Sequence, residues 1–366
     1  MLVMHIITRL NRGGTSTWLK ILTENNLNGF NQLIVFGQID KFEIEDDFYR
    51  NREFHKIKFL QRKINFVKDF LAYFELKKII HKSQPDIINT HTFKAGLLGR
   101  LAARKVSKKI KLVHTFHGHL LYGYYGKFQS FLFLKIEKWL AKFTSIFITN
   151  GSQTKKDLVL SEIAPAQLFK VVLPGLKIRH NTKSKLNNIR KNHNISEGSI
   201  VVGWLGRLTE VKNPGLVIEI ANLLPGVWFL IGGDGKKLEG LKQIKPKNVI
   251  FLGWVEPSHF WRFCDIALLT SRNEAAPFSL VEALFYGLPI ISTDVGSVKD
   301  VVTSKNGLLV NNTENFVKAL TFLIENKSKR FAMGRQSRIL YENKFSQKNF
   351  LNKHQEIYAK LTKVDL

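Results

Sequence analysis

Short apolar, β-branched runs followed by helical patterns recur along this chain in two series, and no other feature limits its fold as much. The first series holds LVMHIIT (2–8), QLIVFG (32–37), DIINTH (86–91), KLVHTF (111–116) and SIFIT (145–149). The second holds SIVVGWLG (199–206), VWFLIG (227–232), NVIFLG (248–253), IALLT (266–270), PIIST (289–293) and GLLV (307–310). Helix-period stretches such as FVKDFLAYFELKKIIHK and FQSFLFLKIEKWLAKF lie between them. A strand apolar at nearly every position is buried on both faces, the condition of a parallel sheet covered by helices. The pattern therefore predicts an α/β chain with two Rossmann-like domains. Ligands of such sheets gather beyond the carboxyl ends of the strands, here expected along a cleft between the domains.

Size agrees with that expectation, because 366 residues at 44% hydrophobic composition can fill two cores of ordinary size. Residues 176–198 are polar and basic without a clear period, and read as the linker. The charge is uneven. There are 56 Lys and Arg against 29 Asp and Glu, a net +27, and no acidic residue occurs between Ile87 and Ile136. Such a surface calls for an anionic partner: nucleic acid, a phospholipid face or a phosphorylated substrate. Cys264 is the single cysteine, which excludes an internal disulfide and suits a reducing compartment. The N-terminus has a short apolar run without a basic n-region and reads as a buried first strand rather than a signal. With no run of about 18 apolar residues, no spanning helix is expected. The chain is read as soluble or bound to a membrane surface.

The distinctive motifs sit at strand ends. Arg12-Gly13-Gly14-Thr15 is a glycine turn opening a helix, where the backbone can approach a phosphate and free N–H groups await an anion. A tight turn needs glycine in any case, so this motif alone is weak. Arg207 and Lys212 lie on the loop before a helix signalled by Asn213 as cap and Pro214 in the first turn. Two cations there suit a diphosphate, or are simply solvated. IGGDG (231–235) lacks the spacing of a dinucleotide fingerprint and reads as a structural left-handed turn. HTFHGH (114–119) holds three histidines at a strand end. A metal site through His117 and His119 is conceivable, but a polar histidine near a ligand is the better reading in so basic a region. In NEAAPFSLVEALFYGLP (273–289), Glu274 and Glu282 stand eight positions apart. They are either a ligand-binding pair, or a loop carboxylate and the Glu of a capping box with Ser279.

Together and in this order, the motifs HTFHG, GRLTEVKNP, GDG, NEAAPFSLVEALFYGLP and STDVG resemble glycosyltransferase family 4, retaining enzymes of the GT-B fold, over essentially the whole chain. The stretches THTFKAGLLGRLAARK and VHTFHGHLLYGYYGKF look closest to bacterial members that build cell-surface polysaccharides. The resemblance implies an acceptor-side domain at 1–175, a linker at 176–198, a nucleotide-sugar domain at 199–345 and a final helix at 346–366 crossing back to the first domain. It implies that Glu274 lies beside the donor sugar, with His117 near the reacting centre. Glu282 would accept hydrogen bonds from the ribose, displacing the capping-box reading. Phe278, Ser279 and Leu280 would offer N–H groups to the diphosphate, and Arg207 and Lys212 would neutralise it. Gly14 and Thr15 would close over it, with Trp254 near the base. The donor would be a nucleotide-diphosphate sugar, with UDP the expected nucleotide, and no metal would be required. The departures are Ala275, Ser297 and Asp300, where the family usually has Gly, Gly and Glu.

On the acceptor side, Lys135, Lys138 and Lys142 form one ridge of a helix whose Phe128, Phe131, Leu132, Trp139 and Phe143 supply apolar area. Such a helix can lie on an anionic membrane, or pack in the core with a lysine-rich solvent face. The expected partner is an undecaprenyl-diphosphate-linked sugar on the inner face of the cell membrane. A GT-B sugar-nucleotide epimerase is the alternative. A nucleic-acid-binding protein is less favoured, because no RNP, zinc or helix-turn-helix pattern accompanies the charge.

Overall fold

The computed structural model describes residues 1–25, 27–41, 43–118, 126–178 and 189–363. The chain divides into two compact units, residues 1–175 with 347–366, and residues 176–346. Each is built on a wholly parallel sheet.

The first unit contains β1 (Leu2–Ile7), β2 (Asn31–Phe36), β3 (Phe54–Lys56), β4 (Ile87–His91), β5 (Lys111–Phe116), β6 (Ile146–Thr149) and β7 (Phe169–Val171). Their order is β3-β2-β1-β4-β5-β6-β7, so connections run outward in both directions from the β1/β4 pair. Five of these strands were legible as apolar runs. The edge strands β3 and β7 were not, because three residues on an edge leave no pattern, and all of β3 is exposed. Met4, Ile6, Leu33, Val35, Ile88 and Leu112 fill the space under the helices Phe66–Ser83 and Phe93–Val106. The first of these helices starts where the Asn65 side chain accepts the Lys68 N–H at 3.0 Å, and stops where Gln84 turns left-handed at φ 46°.

The helix Gln347–Thr362 also belongs to this unit. Its buried stripe is Phe350, His354 and Tyr358, four residues apart. Phe350 and His354 meet Trp18 edge-on, with centroids 4.7 and 5.5 Å away, and the Tyr358 hydroxyl accepts a hydrogen bond from Asn89 at 2.9 Å. A final helix over this span was expected; its inward-facing histidine was not.

The second unit contains β8 (Val201–Leu205), β9 (Trp228–Gly232), β10 (Val249–Gly253), β11 (Ile266–Leu269), β12 (Ile290–Thr293) and β13 (Gly307–Val310), in the order β10-β9-β8-β11-β12-β13. All six match the sequence runs within two residues at either end. Trp204, Phe229, Ile231, Ile266, Phe316 and Leu320 are central to its core. Leu176 is tied to this unit, its N–H donating to the Phe345 carbonyl at 3.0 Å and its carbonyl accepting the Tyr341 hydroxyl at 2.6 Å.

One polar pair lies wholly inside the first unit. Arg100, on Phe93–Val106, reaches both carboxylate oxygens of Glu137, on the helix Lys127–Ala141, at 2.8 and 2.7 Å, and both side chains are fully buried. Its Nε donates to the Gly96 carbonyl (2.8 Å) and its Nη1 to the Thr144 hydroxyl (3.3 Å). Removing one partner leaves an uncompensated buried charge, so Arg100→Met should cost about 3–5 kcal/mol. Arg100→Met with Glu137→Leu should recover most of that loss in denaturant unfolding. A double variant as unstable as the single one would show that packing, not charge, holds these helices.

Candidate functional site

In the second unit the strand order reverses between β8 and β11, whose carboxyl ends lie side by side. Behind β8 comes the loop Gly206–Pro214, and behind β11 the loop Thr270–Pro277. The Thr270 hydroxyl joins them, accepting the Trp204 indole N–H at 3.0 Å and sharing its one proton between the carbonyls of Asn213 (2.9 Å) and Lys212 (3.1 Å). Lys212 then forms an ion pair with Glu274, and Ser271 donates to the same carboxylate oxygen at 2.6 Å. Glu274 is thus a buried, partnered carboxylate, not a solvated loop residue. An ammonium has three donors, so Lys212, 23% exposed, keeps capacity for a further anion. Arg207 is exposed and makes no ion pair among the described residues.

Backbone contacts hold these loops. Gly296 follows β12 at φ 52°, and a Cβ there would stand 1.8 Å from the Glu274 carbonyl oxygen, which also accepts the Ser297 N–H at 3.2 Å. Glycine is therefore required at 296 but not at 275, where Ala275 is outside the positive-φ residues. The IGGDG turn is structural as expected, but its conformation differs. Gly233 and Gly235 lie at φ 124° and 157°, beyond the left-handed helical region. Gly233 presses on the Gly206 carbonyl and Gly235 on that of Leu208, setting the Arg207 loop. Asn213 is corrected too. It does not cap the next helix with its side chain but ends the short turn Glu210–Lys212 at φ 48°, and the helix runs Gly215–Leu223 after Pro214.

The capping-box reading of Glu282 fails on geometry. The helix Phe278–Phe285 begins after Pro277 with no side-chain cap, placing Ser279 inside its first turn. Glu282 instead accepts from the buried Trp261 indole at 3.4 Å. The Leu280 N–H is used by the Pro277 carbonyl at 3.1 Å, while those of Phe278 and Ser279 have no hydrogen-bond acceptor among the described residues. Glu282 keeps a little solvent contact, yet it is enclosed enough that lost hydration pushes its carboxyl up to about 8. The Trp261 bond opposes this, and the charge of Glu256 adds to it. Trp254, directly after β10, is 58% exposed. Sequence reasoning missed Ser271 and Trp261. Ser271 lies two residues past β11 and was open to suspicion; Trp261 reaches Glu282 from a separate helical turn.

In the first unit the glycine turn leads into the helix Gly14–Thr23, with Gly14 exposed and Thr15 half-buried. From that helix Trp18 stands edge-on to His117, 5.4 Å between centroids, so the structure brings the turn and the histidine together. His117 Nε2 meets His91 Nδ1 at 2.8 Å, and burial lowers the His117 imidazole to about 3. His114 is spent on the Thr90 hydroxyl (2.8 Å), and His119 lies outside the described residues.

Residues 186–339 match the family described as glycosyl transferases group 1, and residues 29–177 match glycosyltransferase family 4. A UDP-Gal:alpha-D-GlcNAc-diphosphoundecaprenol alpha-1,3-galactosyltransferase of Escherichia coli is 28% identical over 73% of this chain and 74% of its own length. The capsular polysaccharide biosynthesis glycosyltransferase CapM of Staphylococcus aureus is 24% identical over 81% of this chain and 82% of its own. Among solved structures, Anabaena HepE in complex with UDP and glucose superposes with a TM-score of 0.82 at 18% identity, covering 98% of this chain and all of that one. The fold is GT-B, and the chain belongs to these glycosyltransferases.

Glu282 yields a pH test. Between pH 4.5 and 8 the unfolded chain releases this proton while the folded chain keeps it, so the group lowers stability as pH rises through that interval. Glu282→Gln should flatten the decline, measured by denaturant unfolding near both ends of the interval. Equal slopes in the two proteins would show that this carboxyl is ionised in the fold.

Proposed function

Taking the chain as the glycosyltransferase its family makes it, we propose that it is a retaining enzyme moving a sugar from a UDP-sugar to a lipid-diphosphate-linked acceptor in cell-envelope glycan assembly. The observation that carries this is the cluster at the β8/β11 switch point: Lys212 with donors to spare, exposed Arg207, unclaimed N–H groups at Phe278 and Ser279, and Glu274 held in place by Lys212 and Ser271. In transfer the bond from the anomeric carbon to the diphosphate breaks, and its electron pair leaves on a phosphate oxygen. Fixed cations and N–H dipoles stabilise that growing charge without reorganising. Glu274 faces the sugar hydroxyls, and Glu282 accepts from the ribose, which draws it to its charged form. Trp254 lies against the base, and Gly14, Thr15 and His117 are the residues by which the first unit takes part in transfer. The cations of the loop take the place of a metal ion. The E. coli relative, named for UDP-Gal and a diphosphoundecaprenol acceptor, supports this choice of donor and acceptor.

Attachment to an anionic membrane surface belongs to the same reading. None of the described helices is long and apolar enough to cross a membrane. On Lys127–Ala141, Phe128, Phe131, Leu132 and Trp139 are exposed, whereas Phe143 packs on the core. Lys135 lies over the Phe131 ring, Lys142 is exposed, and Lys138 is partly committed to Glu162 at 3.1 Å. A larger apolar face appears on Phe66–Ser83, where Phe66 is 86%, Val67 71% and Phe70 63% exposed, beside Arg62, Lys63 and Lys68. The helix Phe93–Val106 packs against both of these helices. Each cation near an anionic bilayer contributes about 1 kcal/mol, and the rings add apolar burial.

Transfer assays with UDP-sugars and a polyprenyl-diphosphate-sugar test the first part. Glu274→Gln should lower turnover at least about 100-fold with folding intact. Arg207→Ala should also weaken binding of free UDP in calorimetry. Near-native turnover in the first variant, or unchanged UDP affinity in the second, would overturn the assignment. For the membrane, Phe66→Ser with Phe70→Ser should reduce sedimentation with anionic vesicles at any salt. Charge reversal at Lys135, Lys138 and Lys142 should reduce it mainly at low salt. Sedimentation unaffected by either set would place the basic face elsewhere.

A further inference from the structure

Three histidines of the first unit form a line from the middle of the sheet to its carboxyl edge. His5 is the fourth residue of β1, His91 ends β4, and His117 follows β5. His5 Nδ1 meets His91 Nε2 at 3.2 Å, and His91 Nδ1 meets His117 Nε2 at 2.8 Å. At the inner end His5 Nε2 meets Gln32 Oε1 at 3.2 Å. Two other histidines nearby are outside the line, since His354 Nδ1 bonds the Phe350 carbonyl and His114 Nδ1 the Thr90 hydroxyl.

The direction of every bond in this line follows from its inner end. The Gln32 amide nitrogen donates to the carbonyls of Leu22 (3.0 Å) and Asn25 (3.1 Å), two acceptors that fix which way the amide faces. Its oxygen is thereby turned to His5, so His5 Nε2 must donate. A neutral imidazole has one N–H and one lone pair, so His5 Nδ1 accepts and His91 Nε2 donates. The same step repeats, and His117 Nε2 donates to His91 Nδ1. Neutrality holds across the line. Burial lowers His5 to about 3, with the His354 charge adding and the Gln32 bond opposing. Burial lowers His117 to about 3, again with His354 adding, and holds His91 well below the usual range.

We propose that Gln32, His5 and His91 are positioning residues that lock His117 in the Nε2–H tautomer, leaving Nδ1 as a hydrogen-bond acceptor for a ligand hydroxyl. The Trp18 edge, with its plane 88° to the His117 ring, restrains ring rotation, so the lone pair keeps one direction. His117 then serves as an acceptor and orienter, and does not deliver a proton from Nδ1 at neutral pH. The kinetic consequence rests on the transferase reading above; the tautomer does not.

Nitrogen NMR of the ¹⁵N-histidine-labelled protein at neutral pH separates the two. His5, His91 and His117 should each show a protonated Nε2 and a bare Nδ1, with nitrogen–nitrogen couplings across the two imidazole–imidazole bonds. A protonated Nδ1 on His117 overturns the proposal whatever the substrate. In Gln32→Leu the signals of His5 and His117 should both move toward mixed tautomers, although Gln32 does not touch His117. Signals of His117 unmoved in that variant would also overturn it. With a UDP-sugar donor, Gln32→Leu should lower kcat roughly tenfold while leaving UDP affinity unchanged. A tautomer shift without change in kcat would confine the relay to a structural role and overturn its positioning of a ligand.

Discussion

In the second unit, loops from different strands touch backbone to backbone at points where a side chain would collide. Gly233 and Gly235 bear on the carbonyls behind β8, and Gly296 on the carbonyl of Glu274. These approaches hold four chain segments, those behind β8, β9, β11 and β12, and leave them little freedom. Lys212, Ser271 and Glu274 meet because their main chains have already been brought together. The side-chain bonds complete a geometry that the glycines permit. Catalysis by charge stabilisation gains from such rigidity, since a cation already in place need not reorganise as charge moves.

The first unit uses the same sheet architecture with a different chemistry. Its reversal lies between β1 and β4, and its polar interior is neutral: imidazoles, an amide and hydroxyls in hydrogen-bonded sequence. Buried groups must be paired, and a line of neutral donors and acceptors achieves this without the cost of an internal charge. The exception, Arg100 with Glu137, lies between helices away from that line and satisfies its donors locally. Part of the chain's excess positive charge lies beside exposed rings on two helices of this unit.

Much of the site was legible before any coordinates. Arg207 and His117 stand just beyond strand ends, Lys212 and Glu274 on the loops behind β8 and β11, and Glu282 on the helix that follows the second loop, the side of the sheet that the parallel-sheet rule favours. Their partners were not legible. Lys212 and Glu274 are 62 positions apart, so nothing local announces their pairing. Glu282 satisfied a local capping rule perfectly well, and lost that role because the helix began two residues earlier, after Pro277. Asn213 failed in the same way, since a left-handed turn suited its short polar side chain better than a cap.

Sequence alone determined the α/β class, the two parallel sheets and eleven of the strands, because burial writes itself as apolar periodicity. Tertiary structure alone decided which polar residues face one another. His5 is one polar residue within an apolar strand, and Gln32 one within the next; neither carries a local signature. The sheet brings them together through a parallel register in which His5 stands opposite Ile34, two residues beyond Gln32. Hydrogen-bond direction then passes along positions 32, 5, 91 and 117 in an order that chain numbering does not contain. The physical reason is that periodicity records how far a residue lies from water, whereas a hydrogen bond depends on one partner and one orientation, which exist only after the chain has closed on itself.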